Sequence, residues 1–167
     1  LERANSEAKH EFLASRDVWF HPISLAHDPT GAIVIVDFYR EIIEDYSAIP
    51  RYLQQQYQLD TGKDHGRIWR LVHENMPKAP QPDMSKLGAS SLAKETGSSY
   101  FWRRTTARRL LVEKATLAPE AISTLDKIAA HPTGKREAAV SALHALAGLG
   151  KLTSLTLLTG LNHTDFG

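Results

Sequence analysis

Hydrophobic positions change their period near the middle of the chain. Up to about residue 72 they fall in short alternating or continuous runs, whereas beyond residue 100 they recur every three or four residues. The first pattern predicts strands and the second predicts helices. Ile23-Ser24-Leu25-Ala26-His27 alternates, and Asp28-Pro29-Thr30-Gly31 then places Asp, Pro and Gly where a type I turn uses them. Ala32-Ile33-Val34-Ile35-Val36-Asp37 follows at once, β-branched and nearly all apolar, and predicts a strand buried on both faces. A third strand is expected over residues 65–72. Between these strands, residues 49–57 read as a short helical excursion with Pro50 in its first turn. Three strands cannot enclose a core, and an isolated small sheet is marginal in water, so this half is expected to complete a larger all-β body.

The helical half opens with Trp102–Lys114, where Ala107, Leu110, Leu111 and Lys114 share a face. Pro119 starts a second helix with Ile122, Leu125, Ile128 and Ala129 as its stripe. Arg136, Ala139, Ala142, Leu143 and Leu146 mark a third, stopped by Gly148-Leu149-Gly150. Leu152, Leu155, Leu158 and Leu161 mark a fourth. The pattern Arg104-x-x-Ala107-x-x-x-Leu111 recurs as Arg136-x-x-Ala139-x-x-x-Leu143, a period of 32 residues. Paired helices at that period signify an α-solenoid. Between the halves, three prolines within residues 77–82 and the small polar run after them predict a linker. The expected organisation is therefore α+β with the two classes segregated: strands over 1–74, a Pro/Ser-rich linker over 75–98, and helical repeats over 99–167, with two units and the start of a third.

Composition narrows the function classes. Hydrophobic residues make up 42% and charged residues 23% of 167, which excludes a disordered chain. No run approaches the ~18 apolar residues of a membrane span. Cysteine is absent, which removes thiolate metal sites, a cysteine nucleophile and covalent haem attachment from this segment. Net charge is +1, but residues 1–83 carry 9 Lys/Arg against 13 Asp/Glu while residues 84–167 carry 11 against 6. That asymmetry suggests two surfaces, and the basic half is too mildly charged to imply nucleic acid. The chain begins at Leu1 without a signal segment and stops at Gly167, which reads as a piece of something longer.

Several motifs together resemble a known family. Ser15-x-Asp17-x-Trp19-Phe20-x-Pro22, Asp28-Pro29-x-Gly31, Asp37-x-Tyr39-Arg40-Glu41-x-Ile43-Glu44 and Gly66-Arg67-Ile68-Trp69-Arg70 look like the last propeller blade of the large planctomycete and verrucomicrobial membrane-bound dehydrogenase-like proteins. Their β-propeller is similar to soluble quinoprotein glucose and sorbosone dehydrogenases. Trp102-x-Arg104-x-x-Ala107-x-Arg109-Leu110-Leu111 resembles the first of the HEAT-like repeats that follow that propeller, and residues 162–167 the opening of another. The resemblance implies a periplasmic or otherwise extracytoplasmic parent. It also implies pyrroloquinoline quinone with calcium as the parent's cofactor, and electron transfer to a separate cytochrome c haem domain. No cofactor is expected within this segment itself. The implied partners are the missing blades and a protein docked on the helical repeats. Related sequences usually carry arginine where this chain has His21, and imidazole does not replace a bidentate guanidinium.

His21, Asp37 and Arg40 are the candidate cofactor-binding residues. Histidine is the usual acid/base near neutral pH; its competing role is a single backbone hydrogen bond at a blade edge. Asp37 and Arg40 stand where a strand gives way to a loop, a common place for binding groups. Against that, a strand-ending aspartate often ties down the next loop, and Arg40 has Glu41, Glu44 and Asp45 as nearby ion-pair partners. Thr61–Gly66 lacks the first glycine and the hydroxyl of a phosphate loop and reads as a turn. Of Arg103, Arg104, Arg108 and Arg109, the first expectation is that Arg104 and Arg109 bridge adjacent repeats. The eight histidines form no zinc-binding pair, and no nucleophile motif occurs, so no metal site or catalytic centre is assigned. Two readings compete: a segment of a quinone-dependent sugar or alcohol dehydrogenase, and a non-catalytic propeller and helical-repeat module that binds proteins.

Overall fold

A computed structural model describes residues 12–42, 48–58, 61–76, 82–114, 118–131 and 134–164. Among these residues the chain is mixed α+β, with a three-stranded antiparallel sheet and six α-helices. It divides into two compact units. Residues up to 26 together with 33–71 form the first, and residues 27–32 together with those from 72 onward form the second.

The sheet of the first unit orders its strands β1 (Pro22–His27), β2 (Ile33–Asp37) and β3 (Arg67–Leu71). The β-branched run of β2 suits a pleated surface and takes the centre. Its register on β3 sets Ile33 opposite Leu71, Ile35 opposite Trp69 and Asp37 opposite Arg67. The β1–β2 turn closes as the sequence predicts. The Gly31 amide donates to the Asp28 carbonyl at 3.0 Å, and the Asp28 carboxylate accepts the Thr30 and Ala32 amides at 2.8 and 3.0 Å. The expectation that β2 is buried on both faces is corrected: Ile35 and Asp37 are buried on one face, while Val34 and Val36 on the other are half-buried. Three strands offer too little to cover a second face. The short helix α1 (Arg51–Tyr57) follows Pro50 and buries none of its residues.

The second unit is helical. A 3-10 turn at Met84–Lys86 leads into α2 (Ala89–Glu95), α3 (Phe101–Glu113), α4 (Pro119–Ala129), α5 (Arg136–Gly148) and α6 (Ser154–Leu161). Its core is built from Met84, Leu92, Ala93, Ala107, Leu111, Ala121, Leu125, Ala129, Ala142, Ala145 and Leu146. On α4, Ala121, Leu125 and Ala129 fall at successive fourth positions, the spacing that keeps one helical face inward. Alanine at so many core positions lets helices approach closely. One close approach joins α3 to α5, where a Cβ on Gly148 would stand 2.7 Å from a Val112 methyl. Helix α2 packs on α3 and α4, α3 on α5, α4 on α5 and α6, and α5 on α6.

Three expectations are corrected here. The linker over 75–98 does not persist through its second half, because α2 lies inside that range and Leu92 and Ala93 are completely buried. The small residues read as turn formers are those that a closely packed helix tolerates. Lys114 leaves the α3 stripe for solvent, and its Nζ donates to the Ser85 carbonyl at 2.8 Å. The α6 leucines expected to form a core stripe face outward instead, and Thr156 is the buried residue of that helix. Its hydroxyl donates to the Asp126 carboxylate at 2.9 Å, an interaction that satisfies both groups in a half-dry setting.

Among the described residues only the helical unit carries a contiguous core of this size, so the two halves are expected to unfold separately in urea. Leu125→Ala, at a site with no exposure, should weaken the helical transition by about 3 kcal/mol and leave the sheet transition unmoved. A single transition displaced as a whole would contradict this.

Candidate functional site

The residues that converge in the first unit surround one carboxylate. Asp37 ends β2 with 1% of its surface exposed. Its Oδ1 accepts the backbone amides of His21 at 3.0 Å and Tyr39 at 3.1 Å. Its Oδ2 accepts Arg67 Nε at 2.9 Å, Arg67 Nη2 at 2.8 Å and Trp69 Nε1 at 3.1 Å. Burial alone pushes this carboxyl up. The His21 amide, the Trp69 indole, the Arg67 guanidinium and the Tyr39 amide outweigh that and hold it below its ordinary value.

Aromatic rings complete the cluster. The Arg67 guanidinium lies 4.1 Å from the Tyr39 ring centroid and 4.9 Å from that of Trp69. Its Nη2 also stands 3.5 Å from Asp17 Oδ2. Trp19 meets Tyr39 edge-on with centroids 5.7 Å apart, and His65 lies 6.1 Å from the same ring. Partial burial and then the hydrogen bond and charge of Asp17 raise the Tyr39 phenol above its ordinary value. Tyr39 itself has φ +51, a conformation unusual for a bulky residue, and the Asp37 carboxylate holds its amide there. Gly62 makes the neighbouring turn possible, with φ +90 and space for no Cβ, which would fall 2.7 Å from the Tyr39 carbonyl oxygen.

The three candidate residues thus have different fates. His21 and Asp37 are brought together, but through the His21 backbone amide rather than its ring. The ring Nδ1 lies 3.0 Å from the Trp19 carbonyl, which can only accept, so Nδ1 is the donor of that bond. Asp37 holds five donor contacts, which fill the roughly four lone-pair directions of a carboxylate and leave none for a cofactor or a cation. Arg40 joins neither residue. Its guanidinium stacks on Phe38 at 4.7 Å, its Nη1 is buried without a hydrogen bond, and among the described residues it forms no ion pair. Glu44 and Asp45, two of its expected partners, lie outside the described residues. Among the described residues no group of three or more His, Asp or Glu side chains is placed to hold a metal ion.

Arg67 and Trp69 are the functional partners that residue-by-residue reading did not assign, although both stand in the Gly66–Arg70 motif. The signal was their alternation: Arg67 and Trp69 lie two apart on a strand and therefore share the face of Asp37. Beside them, among the described residues, lie two concave apolar surfaces. One, of about 320 Å³, is lined by Leu13, Asp17, Phe20, Ile35, Arg67 and Trp69. The other, of about 560 Å³, is lined by Phe12, Leu13, Ile23, Leu25, Ile33 and Ile35. In the second unit the arginine expectation is corrected. Arg109 pairs within its own helix with Glu113 at 3.6 Å, and Arg104 Nη1 donates to the Ser98 carbonyl at 2.8 Å, so neither side chain bridges repeats. It is Ser141 of α5 that reaches the Arg104 carbonyl, at 3.5 Å.

Comparison with known proteins yields one similarity. The model of a family described as a domain of unknown function (DUF7133) matches residues 1–75, which takes in all three strands. Neither the curated proteins nor the solved structures gave a match.

Removing the buried carboxylate leaves Arg67 and two amides without their acceptor, so Asp37→Ala should destabilise the sheet unit by about 3 kcal/mol, read from Trp fluorescence in urea. The pH dependence has a definite sign. Because the folded pKa is depressed, this stabilisation is complete above the ordinary aspartate value of about 3.9 and is lost as pH falls through the lower folded value. Below pH 4 the native protein should lose stability faster than Asp37→Ala.

Proposed function

We propose that this chain is the propeller-closing blade segment and first helical repeats of an extracytoplasmic, quinone-dependent sugar or alcohol dehydrogenase-like protein, in which it acts as scaffold. The observation that carries the reading is the overlap of two sets of residues. Asp17, Trp19, Asp37, Tyr39, Arg67 and Trp69 are among the positions on which the family resemblance rests, and they are also members of the Asp37 cluster. A blade needs such a fixed crossing of its strands. A second support is the uncovered apolar surface of the sheet: Ile23, Leu25 and Ile68 are each more than half exposed, as strands would be where neighbouring blades pack on them. For the helical half, the support is the packing of α3 on α5 and of α4 on α6, helices that begin 35 residues apart rather than the 32 of the sequence pattern, as successive pairs of an α-solenoid would.

The residues present do not fit a quinone or calcium holder. Asp37 is saturated by the chain's own donors, and Arg40 and His21 are not brought to one place by any contact. In this reading the cofactor is bound by other blades of the parent, and the parent's cytochrome c domain receives the electrons. The residues of this segment fix the strands against which those blades close.

The alternative, a propeller and repeat module that binds proteins without catalysis, draws on the same saturation of the Asp37 carboxylate. The full-length protein, purified and reconstituted with pyrroloquinoline quinone and calcium, separates the two. The proposal expects dye reduction that depends on both quinone and an aldose or alcohol. No reduction over a broad panel of such substrates would overturn the redox reading.

A further inference from the structure

The cations of the second unit are unevenly placed. Every arginine beyond residue 70 lies on α3 or α5. These two helices pack on each other and carry five arginines against Glu113 and Glu137. Helices α4 and α6 together carry Lys127 against Glu120 and Asp126. Between α3 and α5 lies a concavity of about 430 Å³, lined by Arg108, Arg109, Val112, Glu113 and His144. Most charges around it are already engaged. Arg103 stacks on Tyr100 at 4.8 Å, Arg104 donates to the Ser98 carbonyl at 2.8 Å, and Arg136 lies 4.0 Å from Glu137. Glu113 stands 3.6 Å from Arg109, which offsets the one negative charge in the groove. Arg108 is different: it is half-buried, and among the described residues its guanidinium forms no hydrogen bond or ion pair. A cation partly withdrawn from water without a counter-charge costs stability. The residues that α3 buries are Ala107 and Leu111, so its core does not call for a guanidinium at this position.

We propose that the groove between α3 and α5 binds an acidic segment of a partner protein, which sets carboxylates on Arg108 and His144 and an apolar side chain against Val112. Charge complementarity is the argument for this occupant. A guanidinium meets a carboxylate with two parallel N–H donors, and arginine clusters are a recurrent means of holding acidic motifs. His144, exposed on the facing helix, adds an imidazole N–H from the other wall. Val112, 37% exposed between the arginines and the imidazole, gives the segment an apolar contact. The inference goes beyond the function proposed above and does not depend on it, so a failure of quinone-dependent dye reduction would leave it untouched.

A phosphate group fits less well than spaced carboxylates. Phosphate sites gather several donors on one point, commonly the free amides at a helix N-terminus. This groove lies well past the N-terminus of either helix, where backbone amides are bonded within the helix, and its side-chain donors come from separate points along two helices. Nucleic acid fits less well again, because the second half of the chain carries only 11 Lys/Arg against 6 Asp/Glu and the other helix pair has no arginine.

The test is fluorescence anisotropy of a labelled peptide in which glutamates and aspartates flank a central leucine, titrated with the 167-residue chain at low salt. A Kd of roughly micromolar order is expected. Arg108→Gln should weaken binding about tenfold and His144→Ala about threefold, while Lys127→Gln on α4 should change it less than about twofold. Glutamine keeps helix propensity and Arg108 has no partner to lose, so Arg108→Gln should leave the melting temperature within about a degree. Lost binding is then not lost folding. A control peptide with glutamine and asparagine in place of its acidic residues should not bind. Binding that Arg108→Gln leaves unchanged, that Lys127→Gln weakens equally, or that the unsubstituted chain does not show overturns the proposal. So does a phosphoserine peptide without carboxylate side chains that binds through Arg108 when the carboxylate peptide does not, which would make the groove a phosphate site. An oligonucleotide that displaces the peptide at equal charge overturns it as well.

Discussion

One buried carboxylate sets the geometry of the first unit. Asp37 touches three separated stretches of sequence: the approach to β1 through the His21 amide, the loop after β2 through the Tyr39 amide, and β3 through Arg67 and Trp69. A carboxylate buried without such donors would be protonated or excluded. Its burial therefore requires that all three stretches be in place at once. Register follows from the same requirement. Shifting β3 by one residue would turn Arg67 and Trp69 to the far face and leave Asp37 opposite Ile68, with its charge unmet. Arg67 transmits the constraint outward, because a guanidinium fixed on one edge by Asp37 holds the Tyr39 and Trp69 rings against its faces.

Local chemistry was legible in the sequence and long-range pairing was not. The Asp28–Gly31 turn, the positions of the three strands and the helices at Trp102–Lys114, Pro119–Ala129 and Arg136–Gly148 follow from side chains within a few residues of one another. The Asp37–Arg67 and Asp37–Trp69 contacts span 30 and 32 residues, and nothing in Asp37's own neighbourhood indicates them. Asp37 could be read as a loop anchor, which it is through Tyr39, yet its larger role depended on the strand register. The second unit adds two lessons. Gly88-Ala89-Ser90-Ser91 has the composition of a linker and becomes the start of α2, since small residues serve close helix packing as well as turns. The α6 leucines have the spacing of a core stripe, but periodicity gives only the existence of an apolar face and not what covers it.

The two units are stabilised in different ways. The helical one relies on alanines and leucines distributed over the four helices α2 to α5, so that no single polar contact decides the arrangement. Its polar bridges are a side-chain bond from Thr156 to Asp126 and the contact of the His163 ring with the Gly134 carbonyl at 3.0 Å, just before α5, where backbone groups need partners. The sheet unit has a smaller apolar interior and concentrates its specificity in one polar cluster. A cluster of that kind is all-or-none: fully satisfied it specifies one arrangement, and with a member missing it leaves a buried charge exposed to its full desolvation cost.

That property bears on what a sequence motif of this kind reports. Asp, Tyr, Arg and Trp are residue types common in active sites, and clustered motifs containing them invite a catalytic reading. Here their chemistry is directed at one another. Every acceptor direction of Asp37 is occupied, Arg67 is held by two carboxylates and two rings, and the His21 ring is oriented by the Trp19 carbonyl rather than by a reacting group. The motif is therefore specific to a way of crossing three strands. It reports the scaffold on which a function is mounted, and a protein may keep that scaffold while its chemistry changes.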